Sequence, residues 1–326
     1  MNKSIRIALA ISLAATAATA FAAEKFTYLT NWYAEAEHGG YYQALATGLY
    51  KQAGLDVTIK MGGPQVNIMQ VMMAGQADCI MGYDVQTIQA WEQGIDAVTV
   101  AAAFQKDPVV LIAHPQVKQF SELKDKTLFI GSAGMVTYWP WLKSKFGFSD
   151  RQMRPYNFNI QPFLADTNSA QQGYLASEPF SIEKQGHIQP RVFMLADQGW
   201  PPYAMTVVCS SKTVQSRPQA VAAFVKASMQ GWKSYLTGDP TPANTLIKKD
   251  NPNMTDDLLA YGIRTIKATG SVMGGDAMRL GIGTITEARM KQTYDMLVAN
   301  HLLDPKKVDL HKTFTTRFIQ DAKVMP

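Results

Sequence analysis

The 326-residue chain carries 31 lysines and arginines against 26 aspartates and glutamates, a formal charge of +5, and 47% of it is hydrophobic. That length and composition suit a globular protein with a substantial core and exclude a disordered chain. The small basic excess is scattered without basic runs, which argues against a nucleic-acid footprint.

Residues 1–22 read as an export signal. Lys3 and Arg6 precede an apolar, alanine-rich run from Ile7 that ends Ala20-Phe21-Ala22, with cleavage expected near Ala22. No cysteine follows, so no lipid anchor is indicated. Past the signal no apolar stretch is long enough to span a bilayer; the best, Val98 to Ala113, is broken by Gln105-Lys106-Asp107-Pro108. The mature protein is expected to be exported and soluble.

Phe26 to Leu29 suits a strand, and its carboxyl end carries Asn31, Trp32, Tyr33, Glu35, Glu37 and His38 before Gly39-Gly40 opens a helical run. Leu55–Lys60 alternates as a strand, Val66 to Ala74 is helical, and CIMGY is a strand from Cys79. Asp84 opens a helix, and VTVAAAF and Val109 to His114 make two more strands. Strands alternating with short helices predict a mostly parallel sheet covered on both faces. After His114-Pro115 the rhythm restarts. Ser121 caps a short helix, Thr127 to Ile130 is a strand, and Gly131-Ser132 leads to an aromatic helix starting near Thr137. Asn157 to Leu164 reads as a strand, Ser169 to Leu175 as a helix, and Val192 to Ala196 and Ala204 to Ser210 as strands. The remainder is helical, with Pro218 to Tyr235, Asp256 to Ala268 (capped by Thr255) and Ile285 to Asn300 as its main helices. Cys79 and Cys209 each lie in an apolar strand-like segment and are expected as two separate buried thiols, although an exported protein could pair them.

Two α/β units joined by two crossings, near His114 and near Pro201 to Ala204, predict a bilobed α/β protein with a hinge. The first lobe takes residues 23–113 plus 204–326, the second 114–203. No Walker A loop, dinucleotide GxGxxG, HExxH, CxxC or GxSxG elbow occurs, and the five histidines have no metal-ligand spacing. What recurs instead is polar and aromatic side chains at strand ends: Trp32 to His38, Tyr83-Asp84, Gln105, Gly131-Ser132, and Glu178 with Phe180. Ligands of open α/β sheets bind at such ends. A cleft of this lining suits a small polar ring, which aromatics stack on and amides and carboxylates orient.

The segments LTNWYAEAEHGGYYQALATGLYKQAGLDV, MAGQADCIMGYD and SELKDKTLFIGSAG, with the TYWPWL helix, carry a resemblance. From Glu24 to about Leu236 the chain resembles periplasmic substrate-binding proteins of ABC importers. The branch is the one shared by nitrate, sulfonate and taurine binders, thiamine-pyrimidine synthases and their precursor-binding relatives. The resemblance implies the type II periplasmic-binding-protein fold, two α/β lobes closing on a ligand, with an inner-membrane permease as partner and no nucleic acid, metal or cofactor. A monomer without enzymatic activity is expected. The thiamine-pyrimidine branch matches best, which implies that Trp32 stacks on a pyrimidine and that Glu178 bonds its ring nitrogens and amine. Asn31, His38, Tyr83, Asp84, Gln105, Ser132, Thr137 and Tyr138 complete the candidate ligand-binding set. Glu35, Glu37, Asp84 and Glu178 crowd these loops without a neighbouring lysine or arginine, so an amine-bearing ligand is expected over the alternatives, taurine or another sulfonate, nitrate, or a flavin. The synthase pattern departs here. Tyr83 and Thr87 stand where that enzyme needs its lysine and histidine, and only Cys209 falls near its cysteine-rich iron motif.

Overall fold

The computed structural model describes residues 23–326, and the expected export signal and cleavage position lie outside them. Ten strands among the described residues form two five-stranded sheets. Strands β1 (Glu24–Leu29), β2 (Leu55–Lys60), β3 (Cys79–Gly82) and β4 (Ala97–Phe104) enter the first sheet. Strands β5 (Val109–Ala113), β6 (Thr127–Ile130), β7 (Met153–Pro155), β8 (Ser169–Tyr174) and β9 (Arg191–Met194) form the second. Strand β10 (Ala204–Ser210) returns to the first. The orders are β2-β1-β3-β10-β4 and β7-β6-β8-β5-β9. This is a bilobed α/β fold, each sheet with flanking helices.

Each sheet contains one reversed strand, and each is the strand that follows a crossing. β5 runs antiparallel to β8 and β9, and β10 antiparallel to β3 and β4. The other strands of each sheet run one way, so their carboxyl ends and the loops after them gather along one edge. Sheet membership also moves one expected boundary. Val109–Ala113 was assigned to the first lobe, but it pairs in the second sheet, so the chain crosses at 105–108 rather than at His114.

Three further expectations are corrected. Ser169–Tyr174 is a strand, not a helix, lying in the sheet between β5 and β6. Its alanine and glutamines favour helix on their own, but pairing on both sides overrides that preference. Asn157 to Leu164 is not a strand; it is a loop followed by the helix Gln161–Ala165, with Pro162 in its first turn, where the missing N–H costs nothing. Cys79 and Cys209 are joined in a disulfide. Antiparallel register sets them directly opposite on β3 and β10, with Cα atoms 4.2 Å apart, a proximity two separate strand-like segments do not reveal.

The first lobe is built on an aromatic core. Phe224, on the helix Pro218–Thr237, stacks on Phe26 at 4.6 Å and on Tyr50 at 5.3 Å, and Tyr28 and Tyr41 pack alongside. Burying four or five such rings contributes several kcal/mol and fixes the sheet edge that carries Asn31 and Trp32.

Candidate functional site

A narrow cavity of about 30 Å³ lies between the lobes, lined from the first by Asn31, Trp32, Glu35 and Tyr83 and from the second by Thr137, Tyr138, Gln172, Tyr174 and Glu178. Most of these follow or end a strand; Gln172 lies within β8, and Thr137 and Tyr138 stand where the helix Ser132–Val136 gives way to the helix Tyr138–Phe146. The loop after β1 is shaped by Thr30, whose hydroxyl donates to the Trp32 carbonyl at 3.0 Å and accepts from the Gly62 N–H at 3.1 Å. A Cβ on Gly62 would fall 2.1 Å from the Thr30 carbonyl oxygen, so only glycine lets the loops after β1 and β2 meet this closely. Tyr83 precedes the helix Asp84–Glu92, and its N–H donates to Gln86 Oε1 at 3.2 Å. Glu178 opens the helix Glu178–Gly186, where the exposed N–H groups and the helix dipole favour a carboxylate.

Hydrogen bonds lock the second-lobe wall. Glu178 Oε1 accepts from the Tyr156 hydroxyl at 2.9 Å, and Oε2 accepts from the Tyr174 N–H at 2.8 Å. Gln172 Oε1 accepts from both the Gly131 N–H at 2.6 Å and the Tyr138 hydroxyl at 2.7 Å. Hydrogen bonds also join the two lobes: Tyr83 and Tyr174 share a hydroxyl–hydroxyl bond of 2.5 Å, Ser132 Oγ donates to the Pro64 carbonyl, and the Tyr261 hydroxyl donates to the Leu175 carbonyl at 3.3 Å. Trp32 faces Tyr156 with nearly parallel rings, 12° apart in plane and 6.3 Å between centroids.

The electrostatics are one-sided. Glu35 and Glu178 line the cavity, and Glu37 lies close enough to repel Glu35 and to be repelled by Glu178, all three buried. Burial pushes all three carboxyls up, Glu37 to about 8, and mutual repulsion adds to the rise at Glu35 and Glu37. No lining residue carries a basic group. Asn31 Oδ1 and Glu35 Oε1 are buried acceptors without a hydrogen-bond partner among the described residues. A buried acceptor left unpaired costs about 1–3 kcal/mol, which a donor-bearing ligand between the lobes would recover.

Of the residues singled out from sequence, Asn31, Trp32, Tyr83, Thr137, Tyr138 and Glu178 come together around this cavity. Ser132 sits beside it, bonded across the cleft. His38, Asp84 and Gln105 are set apart. His38 is fully buried at the start of the helix Gly39–Ala46, and desolvation lowers its pKa to about 3. Asp84 is occupied by the Val85 N–H at 2.8 Å and the Thr293 hydroxyl at 2.8 Å. Gln105 Nε2 donates to the carbonyls of Ala102 and Thr284, tying β4 to the C-terminal segment. Tyr156, Gln172 and Tyr174 were not foreseen. Reading SAQQGY as a strand would have exposed Tyr174 by the same strand-end rule that found Tyr83, whereas Gln172 lies inside the strand.

Two α/β lobes with a polar cavity between them make a periplasmic-binding-protein fold. The chain belongs to the NMT1/THI5-like family, whose model matches residues 35–243. It is 23% identical to the formylaminopyrimidine-binding protein of Halalkalibacterium halodurans over 242 residues, 71% of this chain and 72% of that protein. It is 22% identical to the Saccharomyces cerevisiae 4-amino-5-hydroxymethyl-2-methylpyrimidine phosphate synthase THI11 over 258 residues, 72% and 74% of the two chains. Among solved structures, the periplasmic aliphatic sulphonate binding protein SsuA of Escherichia coli superposes with a TM-score of 0.62 at 14% identity, covering 90% of this chain and 92% of that one.

Proposed function

We propose that this protein is the periplasmic solute-binding component of an ABC importer and holds an amine-bearing heterocycle, a thiamine-related aminopyrimidine, between its lobes. The observation that carries this reading is the cavity's charge. Unpaired acceptors and buried carboxyls face it with no basic side chain among the lining residues. A sulfonate or nitrate would enter with no cation to meet it, whereas an exocyclic amine supplies the missing donors. A relative named for binding formylaminopyrimidine supports the same class. In this reading Trp32 offers its ring face, Glu178 and Glu35 accept from the amine, and Asn31 bonds a ring substituent.

The synthase alternative would have to place chemistry on Tyr83, Thr87 and Cys209. Tyr83 is bonded to Tyr174, Thr87 accepts from the Thr99 hydroxyl at 3.1 Å, and Cys209 is tied to Cys79. These commitments favour binding over catalysis.

Calorimetric titration of refolded, signal-free protein with formylaminopyrimidine, hydroxymethylpyrimidine, thiamine, riboflavin, taurine and nitrate tests the reading. Tight binding confined to the pyrimidines is the expected result, and binding of only taurine or nitrate would sink it. Trp32→Ala should weaken pyrimidine binding by about 1–3 kcal/mol through lost stacking and burial.

A further inference from the structure

Beside the inter-lobe cavity lies a second, open hollow of about 700 Å³. Its walls are the helices Ile68–Met73 and Asp84–Glu92 of the first lobe, and the helix Ser132–Val136 of the second lobe forms its rim. The two spaces share Asn31, Trp32, Tyr83 and Ala133 as a common wall. Because the rim comes from the second lobe, and Ser132 bonds to Pro64 across the cleft, the hollow takes this form when the lobes are together.

Its chemistry differs from that of the cavity. None of its 19 lining residues carries a charge. Side-chain amides are dense instead. Gln86, Gln89 and Gln93 are spaced three and four apart and so share one helix face, and Gln65 and Gln70 stand on the facing wall. Gln86 is taken up in capping its helix, but the amides of Gln89 and Gln93 make no hydrogen bond to another described residue. Val66, Met73 and Val136, three of the five large apolar side chains exposed among the described residues, all line it. An occupant must therefore be uncharged, offer hydrogen-bonding groups and present an apolar side. A phosphate or carboxylate would lose hydration there without gaining a cation.

We propose that this hollow is a second subsite, taking an uncharged hydrogen-bonding chain, a polyol or an amide, that extends from the ring held in the cavity. The proposal rests on the cavity's being the ring site. Its continuity with that site is why the occupant is the ligand's own extension rather than a docking protein.

The test holds the ring constant and varies the chain. 4-Amino-5-aminomethyl-2-methylpyrimidine is acylated with formate, with gluconate to give a long neutral polyol, or with succinate to give a chain ending in a charge. Each is titrated calorimetrically against the signal-free protein and against a Gln89→Leu, Gln93→Leu double variant, whose folding is checked by thermal unfolding. The gluconoyl compound should bind about tenfold more tightly than the formyl compound, the effect of one or two neutral hydrogen bonds. The succinyl compound should gain nothing, and the double variant should erase the gluconoyl advantage while leaving the formyl affinity unchanged. Formyl affinity equal to or above gluconoyl affinity overturns the subsite and leaves the ring site standing. So does a double variant that changes none of the three affinities, which would leave the hollow to a macromolecular partner. If no pyrimidine binds at all, the ring-site reading fails and the subsite falls with it.

Discussion

Glu37 and His38 are neighbours whose side-chain polar atoms are all buried without a partner among the described residues, and burial shifts their pKa values in opposite directions. Glu37 is pushed up to about 8 by burial, so the folded state binds its proton more tightly than the unfolded state. Its contribution is therefore fully present below about pH 4.5 and is lost as pH rises towards 8. His38 is pushed down to about 3, so the unfolded state takes the proton first and stability is lost as pH falls from 6.5 to 3. Above pH 6.5 the histidine term is gone, and Glu37 acts together with Glu35, which burial also pushes well up, and Asp107, which burial pushes up to about 7. The Glu37 share of the stability lost by the ligand-free protein between pH 6.5 and 8 should be about 2 kcal/mol, at about 1.4 kcal/mol per unit, and Glu37→Gln should make that slope shallower by this share. Urea midpoints at the two pH values check this; an identical slope in the variant would assign the loss elsewhere. The sequence showed these carboxylates crowded into one stretch, and Glu178 and Trp32 stood out as strand-end residues. It did not show that His38 turns inward, because one helical turn decides whether a side chain faces a cleft or the core.

At the scale of elements, the helices Gly39–Ala46 and Pro218–Thr237 are in backbone contact. A Cβ on Gly231 would sit 2.1 Å from the Gly40 carbonyl oxygen and 2.8 Å from Ala44 Cβ, and one on Gly40 would enter the Trp232 ring. Gly231→Ala should cost about 1–3 kcal/mol by forcing these helices apart, read as a lowered urea midpoint with unchanged slope. The disulfide acts at the same scale on the sheet, joining adjacent strands 130 residues apart in sequence. Replacing both cysteines by alanine should destabilise the protein by about 2–5 kcal/mol, measured by thermal unfolding of the double variant. Neither contact was legible in the sequence. Gly40 read as part of a helix start, Gly231 as a residue inside a helix and the cysteines as unrelated core residues, because both meetings depend on β10 and the later helix Pro218–Thr237 returning to the first lobe after some 90 residues in the second. Strands with clear alternation or apolar runs, such as Leu55–Lys60 and Ala97–Phe104, were plain; SAQQGY was not, since its place in the sheet is set by its neighbours.

For the whole molecule, the cavity's 30 Å³ holds about two waters, so a heterocycle enters only when the lobes part, and they close around it at a wider spacing than in the ligand-free form. Motion must concentrate at the two crossings, 105–108 and 199–203, which connect the sheets. Arg289 grips both. Its guanidinium donates to the Gln105 carbonyl at 2.6 Å in the first crossing and to the Pro201 carbonyl at 3.2 Å in the second, and lies 3.9 Å above the Tyr203 ring. Trp200 Nε1 adds a bond to Asp107 between the same segments, at 2.8 Å. Arg289→Met keeps much of the apolar stem but removes two charge-assisted bonds, each worth about 1.5–3 kcal/mol. If these bonds favour the closed geometry, the variant should populate open forms and bind its ligand about 10- to 100-fold more weakly, because apparent affinity falls with the closed fraction. Small-angle scattering should then show a larger radius of gyration for the ligand-free variant than for the wild type, with the two converging at saturating ligand. Equal radii and equal affinities would mean that Arg289 grips open and closed forms alike, leaving closure to the Tyr83–Tyr174 and Ser132–Pro64 contacts across the cleft.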